Sequence, residues 1–345
     1  MANPRIAVLI LNYNGREWLP PLYQSLRRDS YKRKRIYLVD NASTDGSVEM
    51  TLDAFPEVTV IRMAGNYGYP AAYNLAMPYA FDDGCEYVIW SNNDILVEPD
   101  CLERLARAGE SDPSIGVLGP GLLAWGSNEV NPFLIGNVPH LLPALKARVK
   151  TPIDVEWLEG SFPMIRRKCI EEIGPLDPSF RIGWEDADFC RRARYNGWRV
   201  VLVPDALVHH YSGASFPSRG LRRSDHFRSR SKNYYVYTLT DPFRGFATNA
   251  IKAIHLFLAS VKMALRADRS SLYFELTIFG MVLASIGQSY SKWRRDRAFG
   301  RPSTLAPGAE RGAPEIILGS ILDTPVSRSA TPAVIETSSF EEVVT

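Results

Sequence analysis

Three carboxylates stand within four positions of the chain, at Glu185, Asp186 and Asp188. Like charges so close together repel one another, so such a cluster is typical of a site where a metal ion, a cationic ligand or a proton-transfer task compensates the repulsion. A solvated helix start is the alternative, because Asp and Glu favour the first turn of a helix. Taken alone, the cluster leaves both interpretations open.

A second acidic position follows a strand-like run. Residues 86–90 are β-branched and aromatic, which is typical of a strand, and the run ends abruptly at the polar residues 91–94. Ligands of open α/β sheets bind beyond the carboxyl ends of the strands, so Asp94 is expected at a ligand site. The alternative is an ordinary turn, since Asn and Asp favour turns.

Earlier in the chain, three more strand-like runs each lead into a polar loop and a helical pattern. The runs are residues 5–11, 36–39 and 58–61, and the clearest helical patterns are residues 17–26 and 71–80. Repeated strand–loop–helix units predict an α/β fold whose strand-end loops open on one edge. Asp40, at the end of the second run, is placed to accept a hydrogen bond from a ribose or a base.

Several motifs occur in a fixed order along the chain. They are Leu11-Asn12-Tyr13-Asn14, the run from Val39 to Ser47, Asn66-Tyr67-Gly68-Tyr69 with Asn74, Asn92-Asn93-Asp94, Gly160 with Gly174-Pro175-Leu176-Asp177, Glu185-Asp186-Ala187-Asp188, and the run from His210 to Ser215. In this order and spacing they resemble the inverting family 2 glycosyltransferases, especially the rhamnosyltransferase-like members that build bacterial surface polysaccharides. The resemblance covers residues 5–235 and implies a GT-A fold, a Rossmann-like mixed sheet flanked by helices.

The resemblance implies a pocket for a nucleotide-sugar donor at the strand ends. The residues assigned to it are Asn12, Tyr13, Asn14, Asp40, Asn41, Asn66, Gly68, Asn74, Asn92, Asn93 and Trp184. Among them, Asp40 corresponds to the family's acid that binds base and ribose. Trp184 could stack on a sugar ring, and a core position is its alternative. Tyr73 stands where the family tends to have a small residue, so its bulk could narrow the pocket.

The resemblance also implies a divalent cation, Mg²⁺ or Mn²⁺, that bridges the diphosphate of the donor. Asp94 stands where the D-x-D motif of the family ends, and Asn92 replaces the first Asp of that motif. Hard cations bound by one or two carboxylates together with phosphates are common. His210 matches a motif histidine and is a second metal or pyrophosphate contact, with the neighbouring His209 as the alternative.

Asp186 matches the general base of the family. An acceptor hydroxyl is a very weak acid, so its attack on the anomeric carbon needs a carboxylate within hydrogen-bond reach. One displacement then inverts the anomeric centre. Glu185 and Asp188 are expected to orient the acceptor or the base, and Asp188 is the second candidate for the base itself.

The resemblance leaves several partners open. A dTDP-linked rhamnose is the first choice of donor, and UDP-linked hexoses are the alternative. The acceptor is expected to be a saccharide or a polyprenyl-diphosphate-linked saccharide. We expect no nucleic-acid partner. The loop after the first strand lacks the G-x-G-x-x-G pattern, so a nicotinamide or flavin cofactor is not expected.

The 345 residues, 46% of them apolar, predict one large domain with an appendage. We expect the GT-A domain over residues 1–235, an amphipathic helical region over 236–300 and a disordered tail over 301–345. The helical region has basic flanks, so it would lie on an anionic membrane, or pack on the catalytic domain or on a second subunit of a homo-oligomer. A basic run within residues 216–233 is either a solvated loop or a lid over the donor diphosphate.

The four cysteines show no C-x-x-C spacing, which indicates buried, reduced thiols in a cytoplasmic protein, either free or peripheral on the cytoplasmic face of the membrane. A processive polysaccharide synthase shares this type of domain, but the chain lacks the Q-x-x-R-W motif and the spanning helices of that class. A non-catalytic sugar-nucleotide-binding or scaffold protein on the same fold is the remaining alternative.

Overall fold

The computed structural model of the chain describes residues 3–131, 139–180 and 182–211, the backbone of residues 315–317, and the single residues Tyr237, Ile254 and Tyr290. These residues form a mixed sheet of ten strands with helices packed against it. The α/β class is therefore as predicted.

Four parallel strands form the first half of the sheet. They are β1 (Ile6–Asn12), β2 (Lys34–Asp40), β3 (Val58–Arg62) and β4 (Tyr87–Asn92). Their spatial order is β3-β2-β1-β4, so β1 has a parallel neighbour on each side. Burial of this strand explains its near-continuous apolar sequence. Because all four strands run the same way, their polar carboxyl ends meet at one edge.

Three helices connect these strands, namely α1 (Leu19–Arg28), α2 (Ser47–Ala54) and α3 (Tyr69–Asp82). Helix α1 has a proline in its first turn, where a missing backbone N–H costs no hydrogen bond. Its buried side chains recur at helical spacing and face the sheet. The predicted strands and helices of this half differ from the observed ones by one or two residues at their ends.

The second half of the sheet mixes parallel and antiparallel strands. Its strands are β5 (Ile95–Val97), β6 (Ile115–Ala124), β7 (Ile153–Asp154), β8 (Met164–Arg166) and β9 (Arg199–His210). Its helices are α4 (Cys101–Ser111), α5 (Leu142–Lys146), α6 (Arg167–Ile173) and α7 (Glu185–Tyr195). Strand β8 runs antiparallel to both β4 and β6, and β9 lies between β6 and β5. The register pairs Ile95 with His210 and so brings the end of β9 to Asp94.

A short tenth strand lies within residues 301–345, for which the sequence predicts a disordered tail. Strand β10 (Glu315–Ile317) pairs antiparallel with β3. Without it the outer side of β3 would present a row of unpaired backbone groups, which any extended segment can cover. The rest of residues 301–345 and the basic run at 216–233 lie outside the described residues. So does the helical region 236–300, apart from Tyr237, Ile254 and Tyr290, each of which is helical.

Within the described part of the chain, no helix combines the length and the apolar character needed to cross a membrane. The four cysteines are unpaired and buried, as predicted. Burial raises the pKa of the Cys85 and Cys190 thiols to about 12, so both stay protonated at neutral pH.

Candidate functional site

Three buried polar side chains join the carboxyl ends of the parallel strands. Asn12, at the end of β1, donates to Asp40 Oδ1 at 3.2 Å and accepts from Asn93 Nδ2 at 2.8 Å. The second carboxylate oxygen of Asp40 accepts the backbone N–H of Ser43 at 3.0 Å. Asp40 has no exposed surface. In this structure it therefore holds the strand-end loops together, and its contact with a base or ribose stays a prediction.

The loop after β1 rests on the loop after β2. Asn14 accepts the backbone N–H of Thr44 at 2.8 Å, and its own N–H donates to Ser43 Oγ at 2.9 Å. Its φ of 52° lies in the left-handed region, where Asn is one of the few tolerated residues. Tyr13 and Asn14 are both half-buried. The two residues therefore stand at the strand-end edge, where a donor is expected.

A second bridge joins the loops after β2 and β3. Asn41 accepts the backbone N–H of Tyr67 at 2.9 Å and donates to Asn66 Oδ1 at 3.2 Å. Asn66 also accepts the N–H of Gly68 at 3.0 Å, and Gly68 has a φ of 82° that favours glycine. The structure thus brings three predicted pocket residues into direct contact.

Two residues of α3 have structural partners. The side-chain amide of Asn74 donates to the carbonyl of Leu176 at 2.7 Å and accepts its N–H at 3.1 Å, so it clamps the loop before α7. A contact between Asn74 and a donor stays a prediction. Tyr73 is fully buried and donates to the carbonyl of Ser91 at 2.8 Å. The expectation that Tyr73 narrows the donor pocket is therefore wrong, because its ring belongs to the core.

Asp94 and His210 meet at the centre of the strand-end edge. His210 Nε2 lies 3.4 Å from Asp94 Oδ1, and Asn92 Nδ2 lies 3.5 Å from the same imidazole nitrogen. Asp94 is 3% exposed and His210 is 6% exposed. His209 lies on the opposite face of β9 and pairs with Glu98 at 2.8 Å. Of the two histidines, His210 is the one that reaches Asp94.

A third charged residue, Glu159, faces the same imidazole. Its Oε1 lies 3.4 Å from His210 Nδ1, so carboxylates flank both ring nitrogens. Burial by itself lowers the pKa of His210, but Asp94 and Glu159 outweigh it and raise that pKa to about 10. With no metal bound, the imidazolium is therefore the positive charge between two carboxylates at neutral pH.

The donor set at this position fits a divalent cation. Asp94 Oδ1 is buried and has no hydrogen-bond partner in the described structure, although it stands beside His210. Over the ranges that the structure covers, no three His, Cys, Asp or Glu side chains form a metal-binding group. A cation here would therefore take Asp94 and His210 as protein ligands and complete its shell with diphosphate oxygens and water, as Mg²⁺ commonly does.

Asp186 lies in the first turn of α7 and is held by two backbone N–H groups. Gly160 donates to Asp186 Oδ2 at 2.9 Å, and Ala187 donates to Asp186 Oδ1 at 2.7 Å. The helix begins after Trp184, whose φ of 74° makes the sharp turn into it. Asp186 is half-buried, and the helix N-terminus favours its negative charge. The two backbone hydrogen bonds therefore hold the carboxylate of Asp186 in one orientation, and its role as the base stays a prediction.

The other two carboxylates of the cluster are buried. Asp188 has no exposed surface and forms ion pairs with Arg191 at 3.0 Å and Arg192 at 2.9 Å. Arg192 also donates to the carbonyl of Pro175 at 2.7 Å, which ties α7 to the loop before it. Burial between two guanidinium groups makes Asp188 less accessible to an acceptor than Asp186, and its candidacy as the base stays a prediction. Glu185 is 5% exposed.

Trp184 lies in an aromatic group. Its ring stacks on Tyr237 at 5.3 Å and lies 6.4 Å from the ring of Trp157. Tyr237 is in turn covered by the guanidinium of Arg191 at 4.2 Å. A sugar that stacks on Trp184 would share the ring with these neighbours, so sugar stacking stays a prediction.

Residues 159–161 connect the two parts of the site, and only Gly160 among them belongs to a sequence motif. Glu159 faces His210, Gly160 donates to Asp186, and the carbonyl of Ser161 accepts the N–H of Asn92 at 2.9 Å. The carbonyl of Gly160 also accepts the hydroxyl of Tyr69. No motif marks Glu159 or Ser161, so only their position next to the motif residue Gly160 could have identified them.

Several known proteins are similar in sequence to this chain. Residues 7–174 match the glycosyl transferase family 2 domain. The chain is 26% identical over 267 residues to the N-acetylglucosaminyl-diphospho-decaprenol L-rhamnosyltransferase of Mycobacterium tuberculosis, covering 70% of this chain and 86% of that protein. It is 22% identical over 214 residues to the dTDP-rhamnosyl transferase RfbF of Shigella flexneri, covering 61% of this chain and 70% of that protein.

A solved structure supports the fold. The mannosyltransferase PcManGT from Pyrobaculum calidifontis, solved in complex with GDP-Man and Mn²⁺, superposes with a TM-score of 0.53 at 17% identity, covering 85% of this chain and 88% of that chain. This likeness concerns the fold and confirms the predicted GT-A architecture.

Proposed function

We propose that this chain inverts the anomeric centre of the sugar it transfers in surface-polysaccharide synthesis. The premise is that the chain belongs to glycosyl transferase family 2 and is a glycosyltransferase. The donor would be a nucleotide sugar, and the acceptor a hydroxyl of a saccharide or of a polyprenyl-diphosphate-linked saccharide. The observation that carries the proposal is the segment 159–161, whose residues contact both His210 and Asp186. A candidate base and a candidate metal site are thus parts of one framework.

Asp186 would accept the proton of the acceptor hydroxyl while the oxygen attacks the anomeric carbon. General-base assistance of this kind contributes about 10²–10⁴ in rate. The bonds from Gly160 and Ala187 hold the carboxylate in one orientation, so little reorganisation is needed at the moment of transfer. A single displacement by the acceptor gives a product with the opposite anomeric configuration.

Asp94 and His210 would hold the divalent cation. When bound, such a cation stabilises the departing nucleoside diphosphate as a Lewis acid. The PcManGT complex contains Mn²⁺, which supports a metal requirement in this fold, and Mg²⁺ is the alternative. The side-chain amide of Asn92 lies beside His210 and carries no charge. The diphosphate would therefore supply much of the negative charge around the cation.

The donor would be dTDP-rhamnose, and UDP-linked hexoses are the second candidates. Support comes from the relatives, because the Shigella protein is named a dTDP-rhamnosyl transferase and the Mycobacterium protein an L-rhamnosyltransferase. The name of the latter also supports a lipid-diphosphate-linked acceptor, which would place the enzyme at the cytoplasmic face of the membrane.

A donor panel tests this function. Nucleotide sugars would be incubated with the protein and Mn²⁺, first for thermal stabilisation and slow donor hydrolysis, then with a polyprenyl-diphosphate-linked acceptor. We expect dTDP-rhamnose to give the largest stabilisation and a glycosylated product whose anomeric configuration, read by NMR coupling constants, is opposite to that of the donor. Retention of configuration would exclude the mechanism, and a preference for a UDP-hexose would replace the donor.

A further inference from the structure

Glu159 stands on the side of His210 that faces away from Asp94. Its Oε1 lies 3.4 Å from Nδ1, while Asp94 Oδ1 lies 3.4 Å from Nε2. The two nitrogens lie on opposite sides of the imidazole ring. A cation bound between Asp94 and Nε2 would therefore not touch Glu159, which agrees with the absence of a three-residue metal group in the described chain.

The carboxylate of Glu159 is largely buried, and the free-energy cost of this burial must be offset by another interaction. The side chain of Glu159 is 17% exposed, and its Oε2 is buried with no hydrogen-bond partner among the described residues. Such burial is unfavourable for a carboxylate unless a charged group faces it. His210 is that group, so the two side chains depend on each other.

A neutral histidine can bind a cation through only one ring nitrogen while the other keeps its proton. Which nitrogen keeps the proton is decided by the hydrogen-bond partner of that nitrogen. Ligand histidines in proteins generally donate this N–H to a carboxylate or a carbonyl, which fixes the tautomer and the ring orientation and makes the imidazole a better ligand. Glu159 has the position and the charge to receive the Nδ1 proton.

We propose that Glu159 is a positioning residue for the cation site: it accepts the Nδ1–H of His210 and thereby directs the Nε2 lone pair to the cation held by Asp94. The proposal rests on the proposed function, because it presumes that His210 is a ligand. It also compensates for a feature of this chain. Asn92 stands where the family motif has a carboxylate, so one negative charge is missing. Glu159 supplies a negative charge on the opposite side of the His210 imidazole.

The backbone supports this role. The residue after Glu159 bonds to Asp186, and the residue after that bonds to Asn92. Glu159 is therefore anchored on its carboxyl-terminal side by two contacts with the site. A side chain on such a segment can hold His210 with little loss of conformational entropy.

The test measures Mn²⁺ binding directly, without turnover. Free Mn²⁺ would be followed by its EPR signal during titration of the full chain in the presence of dTDP or UDP. The variants are Glu159→Gln, which keeps the volume and an acceptor oxygen, and Glu159→Met, which keeps the length and removes both acceptors. Glu156→Met is the matched control, because Glu156 is exposed and lies three positions away.

We expect Glu156→Met to bind Mn²⁺ like the wild type, and Glu159→Met to bind it about 10- to 100-fold more weakly, as for other partners of ligand histidines. Glu159→Gln should fall between the two. Added Mn²⁺ should restore the activity of Glu159→Gln, with a raised KM for the metal and a nearly unchanged kcat. A general structural defect would not be corrected by more metal.

The outcomes separate this proposal from the function on which it rests. If the wild type binds no Mn²⁺ with either nucleotide, the metal part of the proposed function fails, and the role of Glu159 fails with it. If the wild type binds Mn²⁺ and Glu159→Met binds it equally well, only the role of Glu159 is overturned. Should Glu159→Met not fold, the Gln variant alone decides, since it preserves the shape of the side chain.

Discussion

The backbone nitrogen of Gly160 donates to Oδ2 of Asp186 at 2.9 Å, across 26 positions of sequence. A Cβ on Gly160 would lie 3.3 Å from Asp186 Oδ2 and 3.2 Å from the hydroxyl of Tyr69. Asp186 and Tyr69 therefore lie so close to the backbone of Gly160 that there is little room for a larger residue at this position. Gly160 therefore positions the candidate base, and Glu159, the residue before it, faces His210.

Gly160→Ala should consequently displace the carboxylate of Asp186. A shift of a few tenths of an ångström or more is needed to relieve the contacts of the added methyl group. Small misplacements of catalytic groups can cost on the order of 10² in rate. We expect kcat to fall by about 10- to 100-fold while the donor still binds, as measured by steady-state kinetics and donor titration.

Gly65→Ala is the control for that variant. An added Cβ at Gly65 meets nothing within 4 Å. The control should keep the kcat of the wild type. An unchanged kcat in Gly160→Ala would contradict the assignment of a catalytic role to the Gly160–Asp186 contact.

Asp188→Asn should reduce stability. Asp188 is fully buried between Arg191 and Arg192, and its replacement by a neutral amide leaves two guanidinium groups without their counter-charge. Removal of one partner of a buried ion pair commonly costs about 3–5 kcal/mol. Urea unfolding should show a loss of free energy of unfolding of this order, with the folded fraction retaining donor binding. A stable but inactive Asp188→Asn would favour this residue as the base.

The first half of the fold could be predicted because its signals are local. The apolar runs that became β1 to β4 and the polar residues at their ends are contiguous in sequence, and parallel strands bring those ends together. By contrast, β8 has three residues and no alternation that could identify it. It nevertheless separates β4 from β6 and brings the 159–161 segment to the site.

The candidate site could be predicted in its residues but only partly in their roles. Asp94 and His210 were named from motifs, and the structure brings them within 3.4 Å of each other. The resemblance implies Asp186 as the base with Asp188 as the second candidate, and the structure adds that the two carboxylates have different partners. The contact of Asp186 with Gly160 spans 26 positions and is revealed only by the folded chain, whereas Asp188 pairs with Arg191 and Arg192 at the local spacing of its own helix.

Asp40→Ala should weaken nucleotide binding and also lower stability. The removed carboxylate takes a hydrogen-bond partner from Asn12 and from the backbone of Ser43, both buried. Unsatisfied buried donors cost about 1–3 kcal/mol. We expect a lower unfolding midpoint together with a higher Kd for dTDP and UDP in calorimetry. If only the midpoint changes, Asp40 has no part in the donor pocket.

Activity should require a divalent cation. Asp94 and a departing diphosphate are both negatively charged, so a cation between them is needed to offset their repulsion. Excess EDTA should abolish sugar transfer, and either Mn²⁺ or Mg²⁺ should restore it. Full turnover of metal-stripped protein would contradict the metal requirement.

Asp186→Asn should separate chemistry from binding. The amide of Asn has nearly the same shape as the carboxylate. Each of the two carboxylate oxygens of Asp186 accepts one backbone N–H, from Gly160 or from Ala187, so the amide oxygen of Asn can keep one of these two bonds. Its nitrogen cannot accept a proton from the acceptor. The variant should therefore fold, bind donor and metal like the wild type, and transfer sugar about 10²–10⁴ times more slowly.

The measurement for Asp186→Asn is single-turnover transfer at saturating donor and acceptor, because that step reports the chemistry without product release. Asp188→Asn serves as the comparison at matched folded concentration. If Asp186→Asn transfers sugar at the rate of the wild type, the base lies elsewhere, and the partly buried carboxylate at the start of α7 serves only to hold Gly160. If the rate falls while the Kd of the donor is unchanged, the loss lies in the transition state, since a carboxylate that only bound substrate would raise KM instead.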